Sequence, residues 1–241
     1  MSTNAMHVAS TGLNAQQTRM QVISNNLANV NTTGFKRDRA NFESLLYQTW
    51  KPGGAQTSEA TAMTSPSAVG TGVRVVSTEK LYTQGSLANT GNALDLAIDG
   101  PGFFQVLMPD GRMGYTRNGT FSQNAEGTIT TPSGYVVQPE IQIPEGAVSV
   151  TISSDGIVSV LMPDETEAQE VAVETAASGE AVIGNPVEPG FGKLVQGSLE
   201  ASNVNVVQEL VDMIETQRAY EVNSKSISAS DEMMQYLANK L

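Results

Sequence analysis

Apolar residues recur in alternating steps of three and four in two segments, one at each end of the chain. Sustained spacing of this kind is typical of helices that pair along a narrow stripe, as in coiled coils. Because the short strands between the segments offer too little surface to cover both stripes, we predict that the helices pair with each other and with helices of further copies. The residues predicted at these subunit interfaces are Met6, Leu13, Met20, Ile23, Leu27 and Val30 in the first helix and Val206, Leu210, Met213, Tyr220, Ile227 and Met234 in the second.

Both helices carry signals at their ends. Gly34 follows the first stripe and is predicted to take the left-handed conformation that closes a helix, with Phe35 folding back as an apolar contact. The second helix is predicted to begin after a cap at Asn205 and to run for about 35 residues, since no glycine or proline interrupts it. The other face of the first helix carries neutral amides instead of charges, which indicates contact with other protein or with a passage.

Between the helices the hydrophobic pattern changes to a period of two. Residues 42–47 are predicted to form a short helical turn, and residues 50–66, rich in glycine, alanine, serine and threonine, an extended arm or linker. Alternating runs separated by glycine turns over residues 70–160 predict antiparallel hairpins, and a last strand is predicted over residues 191–199. The fold class is therefore α+β. The predicted domains are the paired helices, residues 1–34 with 202–241, then a linker and arm, 35–70, and a β domain, 71–201.

The composition narrows the functions open to the chain. The formal net charge of the 241 residues is −12, so no basic surface is available for nucleic acid. There is no cysteine and His7 is the single histidine, which excludes thiolate zinc sites and most histidine-dependent catalysis. Asp95 and Asp99 would lie about 13 Å apart on an extended strand, too far for a glycosidase pair, and are interpreted as outward-facing. We predict no catalytic, cofactor or metal site and no small-molecule substrate.

Two long motifs then resemble those of a known family. Residues 24–36 resemble the N-terminal motif of bacterial flagellar axial proteins, the rod, hook and hook-associated family, and residues 202–225 resemble its C-terminal motif. Residues 85–104 and 115–121 resemble the β domain of its rod members. The residues that carry the terminal motifs are Asn25, Asn26, Leu27, Ala28, Asn29, Thr33, Gly34, Phe35, Lys36, Ser202, Asn203, Val204, Arg218, Ala219 and Tyr220. The residues Tyr47, Trp50, Pro52, Gly53 and Gly54 lie in residues 47–64, a segment that resembles the arm of distal rod members.

The resemblance implies a structural protein without catalysis. Such a chain would be a subunit of the distal rod of the flagellar basal body, assembling helically into a stiff hollow shaft that transmits torque to the hook and passes exported subunits. The helices would form an inner layer around the channel, the β domain an outer layer, and the arm a brace between neighbours. Its expected partners are copies of itself, neighbouring rod proteins, the hook protein, the periplasmic and outer-membrane rings, and the flagellar type III export apparatus. Export without a cleaved signal would place it in a structure that spans from the periplasm to the outer membrane.

Other interpretations stay open at this point. The chain could be another axial protein, from the hook or the proximal rod, or a coiled-coil stalk that displays a β head for binding. A cell-wall hydrolase is a third possibility, although the sequence offers no carboxylate pair at working distance. The chain also departs from similar proteins after Val171, where they continue with a further strand and loop of about twenty residues.

Overall fold

The computed structural model describes residues 2–51, 56–58, 61–62, 67–162, 171–172, 175–176, 183–184 and 191–239. The chain forms two compact units. The helical unit comprises Met1–Ala28, Asp38–Leu81 and Asn205–Leu241, and the β unit comprises Asn29–Arg37 and Tyr82–Val204. The predicted inner layer, arm and outer layer are parts of an assembly of many copies of the chain. This division stays a prediction.

The helical unit contains two long helices and a ribbon of short strands. Its elements are α1 (Ser2–Ala28), β1 (Asp38–Ser44), β2 (Gln48–Lys51), β3 (Gln56–Ser58), β4 (Thr61–Ala62), β5 (Ser67–Val69), β6 (Val73–Lys80) and α2 (Val206–Ala238). Asn205 caps α2, since its Oδ1 accepts from the backbone N–H groups of Val207 (3.0 Å) and Gln208 (3.3 Å). The predicted cap is therefore confirmed, and the 33 residues of α2 agree with the predicted length.

The strands of the helical unit form three two-stranded antiparallel sheets, which we together call the ribbon. β1 pairs with β6, from Asp38 opposite Lys80 to Ser44 opposite Val73, and β2 pairs with β5 and β3 with β4. The prediction of a helical turn over residues 42–47 is wrong, because β6 supplies hydrogen-bond partners to β1 that a single-sequence pattern does not show. The predicted arm contains β2, β3 and β4, so its described parts are paired strands.

α1 ends earlier than its apolar stripe suggests. The helix stops at Ala28, and Val30 lies in the turns that follow, where Thr32 N donates to Asn29 O and Phe35 N donates to Thr32 O. Gly34 does adopt the predicted left-handed conformation, with φ of 69°. The prediction that it closes the helix is wrong, because α1 ends six residues earlier. Its N–H donates to Glu200 O over 2.8 Å, so a distant segment of the chain takes part in closing this region.

The β unit is built of short antiparallel strands. They are β7 (Leu87–Asn89), β8 (Leu96–Asp99), β9 (Phe104–Leu107), β10 (Met113–Thr116), β11 (Ser122–Gln123), β12 (Ile129–Thr130), β13 (Val136–Gln138), β14 (Ser149–Ile152), β15 (Ile157–Leu161), β16 (Val171–Ala172), β17 (Thr175–Ala176), β18 (Ile183–Gly184), β19 (Lys193–Gln196) and β20 (Ser198–Glu200). The largest sheet has the order β11-β12-β13-β9-β17-β18, with β10 also paired to β9. The other pairings are β14-β15-β16, β19-β8 and β20-β7.

The core of the β unit is apolar and continuous. Phe104 is fully buried and meets Phe121 edge to face, with 5.1 Å between ring centroids. The residues of this core are Leu96, Ile98, Phe104, Val106, Phe121, Ile129, Val137, Ile141, Ile143, Ile152, Val158, Val160 and Leu194. The α+β class is thus confirmed, as are the last strands, which β19 and β20 provide within residues 191–199 and one residue beyond.

The interpretation of Asp95 as an outward-facing carboxylate is wrong. Asp95 is 5% exposed, and its carboxylate accepts hydrogen bonds from Thr90 Oγ1 (2.6 Å) and Asn92 Nδ2 (3.1 Å). It therefore anchors the turn before β8, because a buried carboxylate needs such donors. Asp99, four residues later, is exposed as expected.

Candidate functional site: the helix pair and the motif junction

α1 and α2 pack against each other through close approaches and polar contacts. A Cβ atom at Gly12 would lie 3.0 Å from Asn223 Nδ2, so the absence of a side chain lets the two helices approach there. Arg19 Nη2 lies 3.9 Å from Asp212 Oδ1. Buried positions on α2 are polar, since Glu209, Thr216 and Ser230 are only 0%, 1% and 5% exposed. The contact between the helices within one chain is therefore less apolar than the stripe pattern suggests.

The residues predicted at subunit interfaces occupy different positions on this pair. Ile23 is buried, and Val206, Leu210 and Tyr220 are exposed. The half-buried ones are Met6, Leu13, Met20, Leu27, Val30, Met213, Ile227 and Met234. Their contacts with further copies stay a prediction.

Asn26, in the N-terminal motif, joins α1 to the start of the ribbon and to α2. Its Nδ2 donates to Asp38 O (2.9 Å) and to Glu209 Oε2 (3.3 Å), and its Oδ1 accepts from Asp38 N (2.8 Å). Asn26 is 1% exposed. A side-chain amide is suited to this position because it donates and accepts at once. Asn26, one of the neutral amides of α1, therefore makes its contacts within the chain.

Replacing Asn26 by alanine is expected to lower the free energy of unfolding of the helical unit by about 2 to 3 kcal/mol. The change leaves Asp38 N–H and part of the Glu209 carboxylate without this partner in a buried place. Urea titration followed by helix circular dichroism measures the effect. Ser24→Ala, at an exposed site two residues earlier, is the control and should leave the midpoint unchanged; equal midpoints for both variants would contradict the role of Asn26.

A buried ion triad lies in the β unit. Lys36 Nζ is 2.6 Å from Glu200 Oε1, and Arg117 Nη1 is 3.1 Å from Glu200 Oε2. The side chains of Lys36, Arg117 and Glu200 are 4%, 5% and 1% exposed, respectively. Buried charges are tolerated when they are paired and hydrogen-bonded. Lys36 is the last residue of the N-terminal motif, and Glu200 lies two residues before the C-terminal motif begins. The triad therefore brings the ends of the two motifs together.

Backbone groups accept further hydrogen bonds from the triad, while Arg117 Nε is buried without a hydrogen-bond partner. Lys36 Nζ donates to Thr83 O (2.9 Å), and Arg117 donates to Ile98 O (3.2 Å) and Gly100 O (2.6 Å). Burial lowers the pKa of the Arg117 guanidinium below its ordinary value, while the Glu200 charge acts in the opposite direction. The guanidinium carbon also lies 5.4 Å from the centre of the Phe103 ring, at a distance suited to a cation–π contact.

Asn203 ties three segments together beside the triad. Its Oδ1 accepts from Arg37 N (2.7 Å), and its Nδ2 donates to Thr83 O (2.9 Å) and Thr83 Oγ1 (3.0 Å). Its own N–H donates to Phe35 O over 3.4 Å. We call Gly34, Lys36, Arg117, Glu200 and Asn203 the motif junction, because the N-terminal and C-terminal motifs meet there.

The remaining motif and arm residues differ in burial. Val204 is buried and Arg218 and Ala28 are exposed, while Asn29, Thr33, Phe35, Ser202 and Ala219 are half-buried. Asn25 is exposed, with Nδ2 3.5 Å from Asp38 Oδ2. In the arm, Tyr47 is 66% exposed and Trp50 belongs to β2, whereas Pro52, Gly53 and Gly54 lie outside the described residues.

Sequence reasoning did not find Arg117, Glu200 or Glu209. Arg117 lies within residues 115–121, one of the segments that resemble the family. Glu200 is the last residue of β20 and lies on the same face of that strand as the buried Ser198. The available signal for Glu200 was a charged residue on the face of a strand that the alternating pattern predicts to be buried. Within the described residues, no group of three or more histidine or carboxylate side chains could hold a metal ion, and neither helix has the apolar stretch needed to span a bilayer.

Comparison with known proteins defines the class to which this architecture belongs. Residues 6–36 match the family described as "Flagella basal body rod protein", residues 97–160 the "Flagellar hook protein FlgE/F/G D1 domain", and residues 195–241 the "Flagellar basal body rod FlgEFG protein C-terminal". The chain belongs to this family of flagellar rod and hook proteins. Its members are structural components of the flagellar basal body and not enzymes. The resemblance drawn from the two motifs is confirmed.

Individual relatives are more specific. The flagellar basal-body rod protein FlgG of Buchnera aphidicola subsp. Schizaphis graminum is 48% identical over 97% of this chain and 98% of the relative. FlgG of Caulobacter vibrioides is 44% identical, over 96% and 97% of the two chains, and FlgF of the same organism is 33% identical, over 99% and 98%. The alignment with the Buchnera relative spans 255 positions, more than the 241 residues of this chain, so the relative carries residues that this chain lacks.

Proposed function

We propose that the chain is a structural subunit of the distal rod of the bacterial flagellum, which assembles with copies of itself into a stiff, hollow shaft. The observation that carries this proposal is that the similarity to FlgG relatives extends through both terminal helices and the β unit. The same relatives are more similar to this chain than the FlgF relative is, which favours a distal position over a proximal one.

The arrangement within one chain supports an assembly role. Both ends of the chain are helical and contact each other, and exposed apolar residues remain on α2, among them Val206 and Leu210. In the proposed shaft the helices form the inner layer, the β unit the outer layer, and the ribbon that contains Tyr47 and Trp50 braces neighbouring subunits. The shaft would transmit torque to the hook and leave a passage for exported subunits.

The proposed partners follow from this position. They are further copies of the chain, neighbouring rod proteins and the hook protein, the rings of the periplasm and outer membrane that surround the rod, and the flagellar export apparatus that delivers the subunit. A stalk with a β binding head remains the second candidate, because a helix pair joined to a β unit would also serve that purpose. The two differ in size: the stalk is a small defined oligomer, and the rod subunit forms polymers.

Charged substitutions on the helices test the proposal. Leu27→Asp and Ile227→Asp are each expected to abolish assembly of the purified protein into sedimenting polymers and to abolish swimming in cells that depend on the chain. Both side chains are half-buried on the helix pair, so a carboxylate there disfavours apolar contact between subunits. The β unit should stay folded, as judged by its resistance to trypsin.

Exposed helix positions supply the controls. Ser24→Asp and Ser228→Asp place the same charge on the outer surface of the same two helices and should leave assembly and swimming unchanged. Polymers of normal form from both Leu27→Asp and Ile227→Asp would contradict the proposed function. A wild-type protein that remains a small oligomer at every concentration would favour the stalk.

A further inference from the structure

The strands β1 and β6 of the ribbon differ in length by one residue, although their ends lie opposite each other. β1 has seven residues and β6 has eight. Asp38 lies opposite Lys80 at one end of the pair, and Ser44 lies opposite Val73 at the other. One residue of β6 therefore has to bulge out of the ladder between these ends, and the difference in length alone does not decide where.

Hydrogen bonds to other segments hold both ends of the β1–β6 pair in place. At one end Asn26 binds both the backbone N–H and the C=O of Asp38. At the other end Leu45 N donates to Gly72 O over 2.9 Å. A shift of one whole strand along the other would break these hydrogen bonds, so the position of the bulge is the remaining variable.

The observed bulge lies in the middle of the β1–β6 pair. Asn41 lies opposite Ser77 and Phe42 lies opposite Val75, so Val76 is the extra residue. A strand with one buried face has a fixed register, because a shift by one residue turns its buried side chains outward. The seven residues of β6 that follow its first are all exposed and cannot apply this constraint. Other interactions therefore determine where the bulge lies.

One ion pair lies on each side of the bulge. Arg39 Nη2 is 2.9 Å from Glu79 Oε2 on one side, and Arg74 Nη2 is 2.7 Å from Glu43 Oε2 on the other. The two residues of each ion pair lie directly opposite each other in the ladder. Opposite charges that face each other across two strands stabilise that alignment, and like charges disfavour it.

The two ion pairs exclude a bulge near either end of the β1–β6 pair. A bulge before Arg39 would place this residue opposite Thr78 and away from its carboxylate partner. A bulge after Glu43 would place this residue opposite Val75 and away from its guanidinium partner. Both ion pairs therefore survive only when the bulge lies between Arg39 and Glu43.

Asn41 narrows the position of the bulge further. Its Nδ2 donates to Glu79 Oε2 (3.1 Å) and to Ser77 Oγ (3.4 Å). Hydrogen bonds from Asn41 and Arg39 lower the pKa of the Glu79 carboxyl, which keeps it ionised at neutral pH. Contact with both residues requires Asn41 to lie opposite Ser77, and this alignment places the bulge after Asn41.

We propose that the ion pairs Arg39–Glu79 and Arg74–Glu43 fix the position of the β-bulge and thereby the direction in which the β1–β6 pair carries β2 to β5. A bulge bends its strand and increases the local twist, so its position sets the direction of the strands beyond it. Every alternative position keeps seven opposed residue pairs, so differences in charge alignment are large enough to select one. The effect on assembly rests on the proposed function, whereas the position of the bulge does not.

Disulfide trapping in the full chain measures the position of the bulge, since the chain contains no cysteine. Ala40→Cys with Thr78→Cys joins residues that lie opposite each other, at a separation that a disulfide can span. Ala40→Cys with Ser77→Cys joins residues that would lie opposite each other if the bulge moved toward Asp38. With oxidised glutathione and no other change, the first disulfide is expected to form about tenfold faster or more, because the second requires side chains on opposite faces to meet.

Charge reversal then tests the role of the ion pairs. Glu79→Arg places two cations opposite each other and is expected to shift the ratio of the two disulfides toward the second by about tenfold. Adding Arg39→Glu restores opposite charges and should restore the original ratio. Glu126→Arg, the same charge change at an exposed turn of the β unit, is the control and should leave the ratio unchanged. An unchanged ratio in Glu79→Arg, or a double variant that behaves as Glu79→Arg does, would overturn the inference.

Sedimentation of polymers separates this inference from the proposed function. Glu79→Arg is expected to polymerise less than the wild type, and the double variant with Arg39→Glu is expected to recover. If the disulfide ratio shifts but Glu79→Arg polymerises normally, the inferred effect of the bulge on the direction of β2 to β5 in the assembly is overturned. If the wild-type protein never polymerises, the proposed function fails, and the disulfide ratios still decide whether the ion pairs fix the bulge.

Discussion

Replacing Glu200 by glutamine is expected to lower the free energy of unfolding of the β unit by about 3 to 5 kcal/mol, because removing one partner leaves the others buried without a counter-charge. The side chains of Lys36 and Arg117 are 4% and 5% exposed, so water cannot replace the lost carboxylate. Since a domain of this size is typically stable by about 5 to 15 kcal/mol, this one change removes a large share. Urea titration of the full chain, followed by the near-ultraviolet signal of the aromatic residues, measures the loss.

An exposed ion pair in the same unit provides the control for this variant. Arg112 is paired with Asp110 at the surface, where its side chain is 79% exposed, and Arg112→Gln should leave the urea midpoint unchanged. The double variant Lys36→Met with Glu200→Gln should be less unstable than the sum of the single variants, because the lysine charge is removed together with its partner. A Glu200→Gln protein within about 1 kcal/mol of the wild type would contradict the importance of the triad.

Replacing Gly34 by alanine is expected to destabilise the β unit beyond the usual cost of a left-handed alanine, which is about 1 to 2 kcal/mol. Gly34 has φ of 69°, and a Cβ atom there would lie 2.5 Å from the carbonyl carbon of Arg117 and 2.6 Å from Asn118 N. Both neighbours are backbone atoms and cannot rotate away. The main chain around the motif junction must therefore move, which disturbs the Gly34–Glu200 hydrogen bond of 2.8 Å.

Gly91 isolates the steric part of this effect. It has φ of 72°, almost the same as Gly34, but a Cβ atom there would meet nothing within 4 Å. Gly91→Ala should therefore show the cost of the backbone conformation alone, and Gly34→Ala that cost plus the collision. Thermal unfolding of both proteins gives the difference, and equal melting temperatures would show that the junction accommodates a side chain at residue 34.

Several elements could be predicted because their signals are local. The cap at Asn205, the uninterrupted α2 and the left-handed Gly34 follow from the residues themselves and from short-range geometry. The strands β8 and β9 follow from apolar runs bounded by glycine and proline. The family could be identified for a similar reason, since its two motifs are continuous in the sequence.

Elements that depend on a distant partner were predicted poorly. Residues 42–47, which include the end of β1, were assigned a helical turn because the pairing of β1 with β6, 29 to 42 residues away, leaves no mark in the local sequence. Asp95 was interpreted as exposed because the donors Thr90 and Asn92 come from a turn that folds back on it. In both cases the local sequence pattern did not distinguish between the possible structures, and hydrogen bonds to other residues determined which one forms.

The α+β class, the two terminal helices, the cap of α2 and membership of the flagellar rod and hook family could be predicted from the sequence, because helix periodicity, capping and continuous motifs are properties of neighbouring residues. The tertiary structure alone decided which face of α2 is buried, and it joined Lys36, Arg117 and Glu200, which are 81 or more residues apart, into one buried triad. The physical reason is that burial and charge pairing depend on how distant segments meet. A stripe of apolar residues indicates which face a helix can bury, but the packing of the whole chain determines which face is buried.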